Sequence, residues 1–358
     1  MTVDLTGGLP DWREYGFEEY PDTPDMRDSV NFWLCDDQGR FGMPRCTMEA
    51  IGPDWQNDRQ AMINISFPDG RVYTRRDYKC QGPASNKGAD GKATVFSAGP
   101  IEFRLIEPYV KWTASFEGEC AAVTSLEQMN GLQGGQGDRH EMVSLDVEMN
   151  SAVPPWVPTS HLEPGLKKIL TEEELVYTHE WGPCHRQEQL FRCSGRLRIG
   201  DDETYAFTGT GLRIRRQNIF RTSTFTGHVW QSALFPSGKA FGCNTYAPRL
   251  DGKPSYSEGW IFDGKQVLPA RVIRVPWLTR LSPSGDDASI ILETNRGFHH
   301  IGGETFASTF EPNVSLGLEK FAPYLQQAAV RYTWDGEETF GMMERSTLRE
   351  KLFAGKLV

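Results

Sequence analysis

The chain has 358 residues, 38% hydrophobic, 24% charged and 11% aromatic, a size and composition that suit two globular domains or one large β-assembly. Its net charge of −10 speaks against nucleic acid and against an anionic membrane surface, since both demand a basic footprint. No apolar run is long enough to span a bilayer, and Met1 to Tyr20 carries neither a basic n-region nor an apolar h-region, so a cytoplasmic protein is expected.

From the N-terminus the chain is a series of short extended runs separated by turn signals. Residues 29–34 alternate in polarity before a turn at 36–39. Residues 61–67 alternate before Pro68-Asp69-Gly70 turns the chain into 71–78. Runs at 95–98, 101–107, 110–117 and 119–124 follow, and such spacing indicates an antiparallel sandwich or barrel rather than βαβ units. Residues 128–140 hold four glycines and read as a loop, and 142–149 alternate again.

Pro154, Pro155, Pro158 and Pro164 then mark a boundary, because proline has no ladder donor and breaks strands and helices alike. A helix over 166–176 is expected as a connector. Strand patterns resume after Trp181-Gly182-Pro183, at 188–199, 205–215, 225–235, 240–247, 258–262, 266–275 and 288–293. A second helix is expected over 318–329, and a closing strand pair over 332–344 turns at Asp335-Gly336. The expectation is an all-β protein with a few short helices. Its two antiparallel barrel or sandwich domains occupy 1–152 and 181–358, joined by a Pro-rich linker and helix at 153–180.

Seven cysteines, at 35, 46, 80, 120, 184, 193 and 243, form no C-x-x-C pair and read as reduced thiols acting as small buried hydrophobes. Gly131 to Gly137 neither follows a clear strand nor opens a helix, so it does not read as a dinucleotide loop. Gly209-Thr210-Gly211 inside a strand pattern reads as close backbone approach or a bulge. No H-E-x-x-H or G-x-S-x-G is present, and adjacent His299 and His300 point to opposite faces of an extended chain. Neither a metal nor a nicotinamide or flavin cofactor is expected.

The most informative stretch runs from Gly209 to Tyr246. Its second part reads as a hairpin turned at Pro236-Ser237-Gly238. Thr226, His228, Trp230 and Ser232 share one strand face, and Asn244 and Tyr246 share a face of the next strand. Such a face is too polar for an oily core and too aromatic for plain surface, and suits the wall of an organic-ligand site. The plainer reading is a set of satisfied structural residues.

His228 is the strongest proton-transfer candidate, since its ordinary pKa is near neutral. Trp230 would stack a substrate ring, and Arg213 or Tyr246 would stabilise an anion. Arg213 and Arg215 share a face with Tyr205 and could clamp a carboxylate or phenolate, or else form a surface ladder. Asn244, His179 and His185 complete the candidate binding residues. Glu188 shares a strand face with Arg186 and Arg192 and reads chiefly as a structural ion pair.

Several short strings in order carry a family resemblance. They are Asp28-Ser29-Val30-Asn31-Phe32-Trp33 with Gly39-Arg40-Phe41-Gly42, Arg186-Gln187-Glu188-Gln189, Ser194-Gly195, Gly209-Thr210-Gly211-Leu212-Arg213, the strand and turn at 230–238, and Gly341-Met342-Met343-Glu344-Arg345. Together they resemble the carotenoid hydratase/hydroxyneurosporene synthase-like and AttH-like lipocalin superfamily, in a sphingomonad and actinobacterial branch. The resemblance implies two lipocalin-like β-barrel domains with a ligand cleft in or between them. It also implies a fold that hosts water addition to alkenes and pericyclic cyclisation. Relatives commonly follow G-x-G-x-R with an Asp-His-Ser-Trp-Gly-like string. Here Ile214-Arg215-Arg216-Gln217-Asn218-Ile219-Phe220-Arg221 stands instead, so that chemistry does not carry across.

The aromatic content, the absent cofactor motifs and the resemblance together lead to a cofactor-independent lyase or hydratase. Its expected substrate is a bulky, hydrophobic, aromatic small molecule. A specific form is elimination of formaldehyde or water from a lignin-derived phenolic dimer, in aromatic compound catabolism. The alternatives are a non-catalytic lipocalin-like carrier of a hydrophobic ligand, and a pericyclase or isomerase. A homodimer is left open.

Overall fold

The computed structural model describes residues 3–170, 185–201, 203–219, 226–249, 251–312 and 324–353. Runs of alternating polarity become strands, each paired antiparallel to its neighbours. β1 (Met26–Asp36), β2 (Gly42–Ile51), β3 (Arg59–Ser66) and β4 (Arg71–Cys80) form one meander. β5 (Val95–Ala98), β6 (Ile101–Glu107), β7 (Lys111–Thr124) and β8 (His140–Ser151) form another. β9 (His185–Ile199) and β10 (Glu203–Ile219) lie between β8 and β1 and join the meanders into a ten-stranded sheet. β4 also pairs with β7, residues 71–74 against 121–124, so the sheet curls back on itself.

The rest of the chain closes an eight-stranded barrel. In order its strands are β11 (Gly227–Leu234), β12 (Ala240–Tyr246), β13 (Ser257–Phe262), β14 (Val267–Arg274), β15 (Ile290–Thr294), β16 (Gly297–Glu311), β17 (Tyr324–Trp334) and β18 (Glu337–Thr347). The protein is therefore all-β with the lipocalin-like architecture expected. Among the described residues no helix is long and apolar enough to cross a membrane.

Period-two alternation sorts the side chains into three apolar layers. Val30, Phe32 and Leu34 of β1 point into the first sheet's own core with Phe103, Trp112 and Phe116. Val229 and Ala233 of β11 point into the barrel with Phe241, Ile290, Val330 and Met343. Their strand neighbours, Trp33 and Cys35 of β1 and Trp230 and Leu234 of β11, meet between the two units with Leu212, Ile214, Trp260 and Met342. The β10 glycines permit tight pairing with β1. A Cβ on Gly209 would sit 2.2 Å from the Cys35 carbonyl oxygen, and one on Gly211 2.1 Å from that of Trp33. This is the close backbone approach read from the G-x-G.

Three expectations are corrected. The division at 153–180 falls inside the first unit, because β9 and β10 pair with β8 and β1, and the barrel begins only at β11. The prolines interrupt the ladder there, yet the chain returns to the same sheet, with Trp156 bridging Glu188 through both backbone hydrogen bonds. Of the connector helix expected over 166–176, the described part is one turn, α2 (Pro164–Lys167), followed by a turn and bend at 168–170, and residues 171–176 lie outside the described residues.

The helix expected over 318–329 is β17 from Tyr324 onward, with 318–323 outside the described residues. Pairing on both sides, with β16 and β18, outweighs the local helical pattern. A helix not expected from the sequence, between the run at 119–124 and the loop read from 128, is α1 (Ser125–Met129), opened by a capping box between Thr124 and Glu127. It spans the two units, since Ser125 Oγ donates to the Ser308 carbonyl at 2.6 Å and Phe310 N–H to Gln128 Oε1 at 3.0 Å.

Candidate functional site between the sheet and the barrel

The even-numbered face of β11 carries His228, Trp230 and Ser232 and looks out of the barrel toward the first sheet. Its register places Tyr246 and Ser346 on either side of His228, and Asn244 and Glu344 on either side of Trp230. Glu258 of β13 stands beyond Asn244, and Gln327 of β17 beyond Glu344. One outer face of the barrel thus concentrates polar side chains, all of them buried except the partly buried Tyr246.

His228 is held at both ring nitrogens. Nδ1 lies 2.7 Å from Ser346 Oγ and Nε2 lies 3.0 Å from Glu344 Oε1. A carboxylate only accepts, so Nε2 carries a hydrogen toward Glu344, while the Ser346 hydroxyl, which can donate or accept, faces Nδ1. Glu344 is also bonded by Arg45 Nη2 at 2.9 Å and by the Gln327 amide. The chain continues through Asn64, whose Nδ2 donates to Gln327 Oε1 at 3.1 Å, to Thr74, which donates to Asn64 Oδ1 at 2.7 Å. Burial would raise the Glu344 carboxyl, but Arg45 and His228 outweigh it and hold the group well below the usual carboxylate range.

Beside this chain lies a second cluster. Trp230 Nε1–H donates to Glu188 Oε2 at 3.1 Å, and Arg186 clasps Glu188 Oε1 from Nε at 2.9 Å and Nη2 at 2.6 Å. The same guanidinium lies 5.0 Å over the Trp230 ring, and Trp33 packs against that ring at 4.4 Å. Glu258 accepts from Tyr256 OH at 2.6 Å, from Trp156 Nε1–H at 3.2 Å and from the backbone N–H groups of Thr159 and His161, each at 2.6 Å. Burial pushes both carboxyls up, and Glu258 adds to the effect on Glu188 by charge. The interface therefore holds carboxyl groups of opposite character: Glu344 kept ionised, Glu188 and Glu258 biased toward keeping a proton. Among the described residues no group of three His, Cys, Asp or Glu side chains is placed to hold a metal.

The structure brings together His228, Trp230, Asn244 and Tyr246, with the Tyr246 and His228 rings 6.5 Å apart edge to face. Asn244 Oδ1 is buried without a hydrogen-bond partner among the described residues. Arg213 and Arg215 point the other way, into the first sheet's core, because odd and even positions of β10 face opposite sides. Arg213 pairs with Glu14 at 2.9 Å over the Trp112 ring, and Arg215 with Asp28 at 2.6 Å over Phe96. They are structural cations of the N-terminal segment rather than members of the His228 face.

Tyr205 packs against Phe41 and Phe67 and donates to Glu203 at 2.8 Å. His185 bonds the Arg13 carbonyl oxygen at 2.7 Å on the Glu14 side. His179 and Arg221 lie outside the described residues. The Arg186–Glu188 pair is present as read. Sequence reading missed Ser346 and Arg45 and gave Glu344 no role. The available signal was Glu344-x-Ser346, two polar residues at strand spacing in a closing hairpin, but the register that sets them beside His228 is a tertiary fact.

A family model described as "Domain of unknown function (DUF7064)" matches residues 18–349. No curated protein sequence matches the chain. Among solved structures, a protein assigned as AttH from Nitrosomonas europaea is similar at a TM-score of 0.56 and 13% identity, covering 92% of this chain and 94% of that one. CghA is similar at a TM-score of 0.52 and 10% identity, covering 97% and 93%. The CghA structure with Sch210972 gives 0.51 and 10%, covering 97% and 98%. At such identities the likeness is one of fold.

Proposed function

We propose that this chain, which belongs to the DUF7064 family, is a cofactor-independent lyase or hydratase that works by acid–base chemistry on a hydrophobic aromatic small molecule held between sheet and barrel. The observation that carries the reading is the buried Ser346–His228–Glu344 chain. Its order gives each member a task. Glu344 holds the Nε2 proton and stabilises an imidazolium, His228 Nδ1 takes a proton through Ser346, and the Ser346 oxygen is the atom at which that proton arrives. Glu188, whose carboxyl burial pushes up, is the proton donor on the far side of Trp230, whose indole forms part of the aromatic wall.

For loss of water, the substrate C–H proton goes to the Ser346–His228 pair. The new carbon–carbon double bond forms, the C–O bond breaks, and Glu188 gives its proton to the leaving hydroxyl. For loss of formaldehyde, the base takes the hydroxymethyl O–H proton. The C–C bond then breaks to release formaldehyde, its electron pair forms the new carbon–carbon double bond, and the C–O bond of a hydroxyl on the adjacent carbon breaks as Glu188 gives it a proton, so that a lignin-derived phenolic dimer becomes a stilbene with loss of formaldehyde and water. The likeness to the AttH and CghA structures supports a ligand site in this fold but does not choose the reaction.

Incubating the purified protein with a panel of phenolic dimers and terpenoids, followed by mass spectrometry, tests the reading. Loss or gain of water or loss of formaldehyde is expected. A co-purifying ligand recovered unchanged assigns the chain as a carrier, and a product of unchanged mass assigns it as an isomerase.

A further inference from the structure

We propose that Arg45, Thr47 and Asn31 form a subsite for an anionic oxygen of the ligand, a carboxylate or phenolate, on the sheet side of the interface; this rests on the reading of the interface as the ligand site. Cys46 and Met48 of β2 point into the first sheet's core, so Arg45, Thr47 and Glu49 face the barrel. Asn31 of β1 is directly opposite Thr47, close enough for both side chains to meet one ligand atom. β17 and β18, which carry Gln327, Glu344 and Ser346, pack over this part of β1 and β2.

Three features mark these residues as prepared for something other than their own chain. Arg45 commits one nitrogen, Nη2, to Glu344 and makes no other hydrogen bond among the described residues, while its side chain keeps 24% exposure. The Thr47 hydroxyl is wholly buried with no hydrogen-bond partner among the described residues. The Asn31 amide is half-buried, and none of the hydrogen bonds among the described residues uses it. Burying a hydroxyl unpaired opposes folding, so its retention calls for a partner supplied from outside.

Charge gives the sign of that partner. Arg45 bonds Glu344 through Nη2 alone, and its other guanidinium N–H groups, which can only donate, make no hydrogen bond among the described residues. Arg45 acts on both Glu49 and Glu344, lowering each. A guanidinium with open N–H donors thus stands beside a neutral hydroxyl and an amide. A single anionic oxygen satisfies all three. Arg45 thereby takes the role that Arg213 and Arg215, locked onto Glu14 and Asp28, cannot fill.

The test is calorimetric titration of the full chain with 2-naphthoate and with its uncharged isostere 2-naphthamide. The wild type is expected to prefer the naphthoate about tenfold, the scale of one hydrogen bond to a charged group. Arg45→Met is expected to abolish that preference by weakening naphthoate alone. Thr47→Val is expected to weaken naphthoate several-fold while leaving Tm unchanged or raised, since the hydroxyl has no partner to lose. Equal affinities in the wild type, no naphthoate binding, or equal losses for both probes would overturn the subsite. His228→Ala should keep the naphthoate preference. Its turnover therefore reports on the catalytic reading separately from the subsite.

Discussion

His228 and Arg213 were expected to act together, and their environments now give them different mutational signatures. Removing a positioned base typically costs about 10²- to 10⁴-fold in rate. His228→Ala is expected to lose turnover on that scale while staying folded and ligand-competent, as read by kcat, affinity and Tm on one preparation. Near-normal turnover in a folded mutant would remove His228 from the chemistry. Arg213→Met should behave in the opposite way. It strands the buried Glu14 carboxylate, a loss of about 3–5 kcal/mol for a broken buried pair, so Tm falls and activity declines only with the folded fraction.

The carboxyls add a pH signature. Arg27, Arg216 and Arg45 outweigh burial at Glu49 and hold it at about 2, against 4.5 unperturbed, and Glu344 is lowered too. A depressed carboxyl contributes stability that is present above its unfolded value and lost as pH falls through its folded one. Tm is therefore expected to drop as pH falls from roughly 4.5 toward 2, with Glu49 alone contributing about 3 kcal/mol. Glu188 and Glu258 have the opposite sign. Raised by burial, they favour the fold while protonated and lose that contribution as pH rises through their folded values. A thermal melt series of the wild type against Glu49→Gln checks the acid limb. An unchanged slope in the mutant would contradict it.

At the scale of elements, pairing distance rather than propensity dominates. The β10 glycines let β1 approach until its carbonyls occupy the space a side chain would take. Gly211→Ala is therefore expected to push β1 and β10 apart and lower Tm markedly. Gly238→Ala sits in the open Pro236-Ser237-Gly238 turn, where a Cβ meets nothing within 4 Å, and pays only for its positive φ of 90°. A Gly211→Ala protein as stable as the turn variant would refute this account. β17 makes the same point from the other side, since a helix-like pattern becomes a strand once two neighbours offer ladders.

For the whole molecule, the interface that carries the proposed site also holds the two units together. Trp230, Leu234, Ala240, Trp260, Phe262 and Met342 on the barrel's outer face are buried only because the first sheet lies over them with Trp33, Leu212 and Ile214. A barrel expressed alone from residue 226 exposes that apolar face, and is expected to self-associate in size-exclusion chromatography. A monodisperse monomer would show that the barrel needs no cover.

Sequence alone determined the all-β class, most strand positions, the shared face of His228 and Trp230, and the close approach at Gly209 and Gly211. Each follows from period-two alternation, turn residues or the missing Cβ, which are local properties of the chain. It placed Arg213 and Arg215 on one face correctly but could not say which side that face met. It also set the domain division too early, because proline reports a broken ladder and not where the next strand pairs. The partners of His228 come from β18, more than a hundred residues away, and Arg45 comes from β2. Only the closure of the barrel and its packing on the curled sheet decide those neighbours, because long-range register depends on which surfaces bury each other and no local pattern records it.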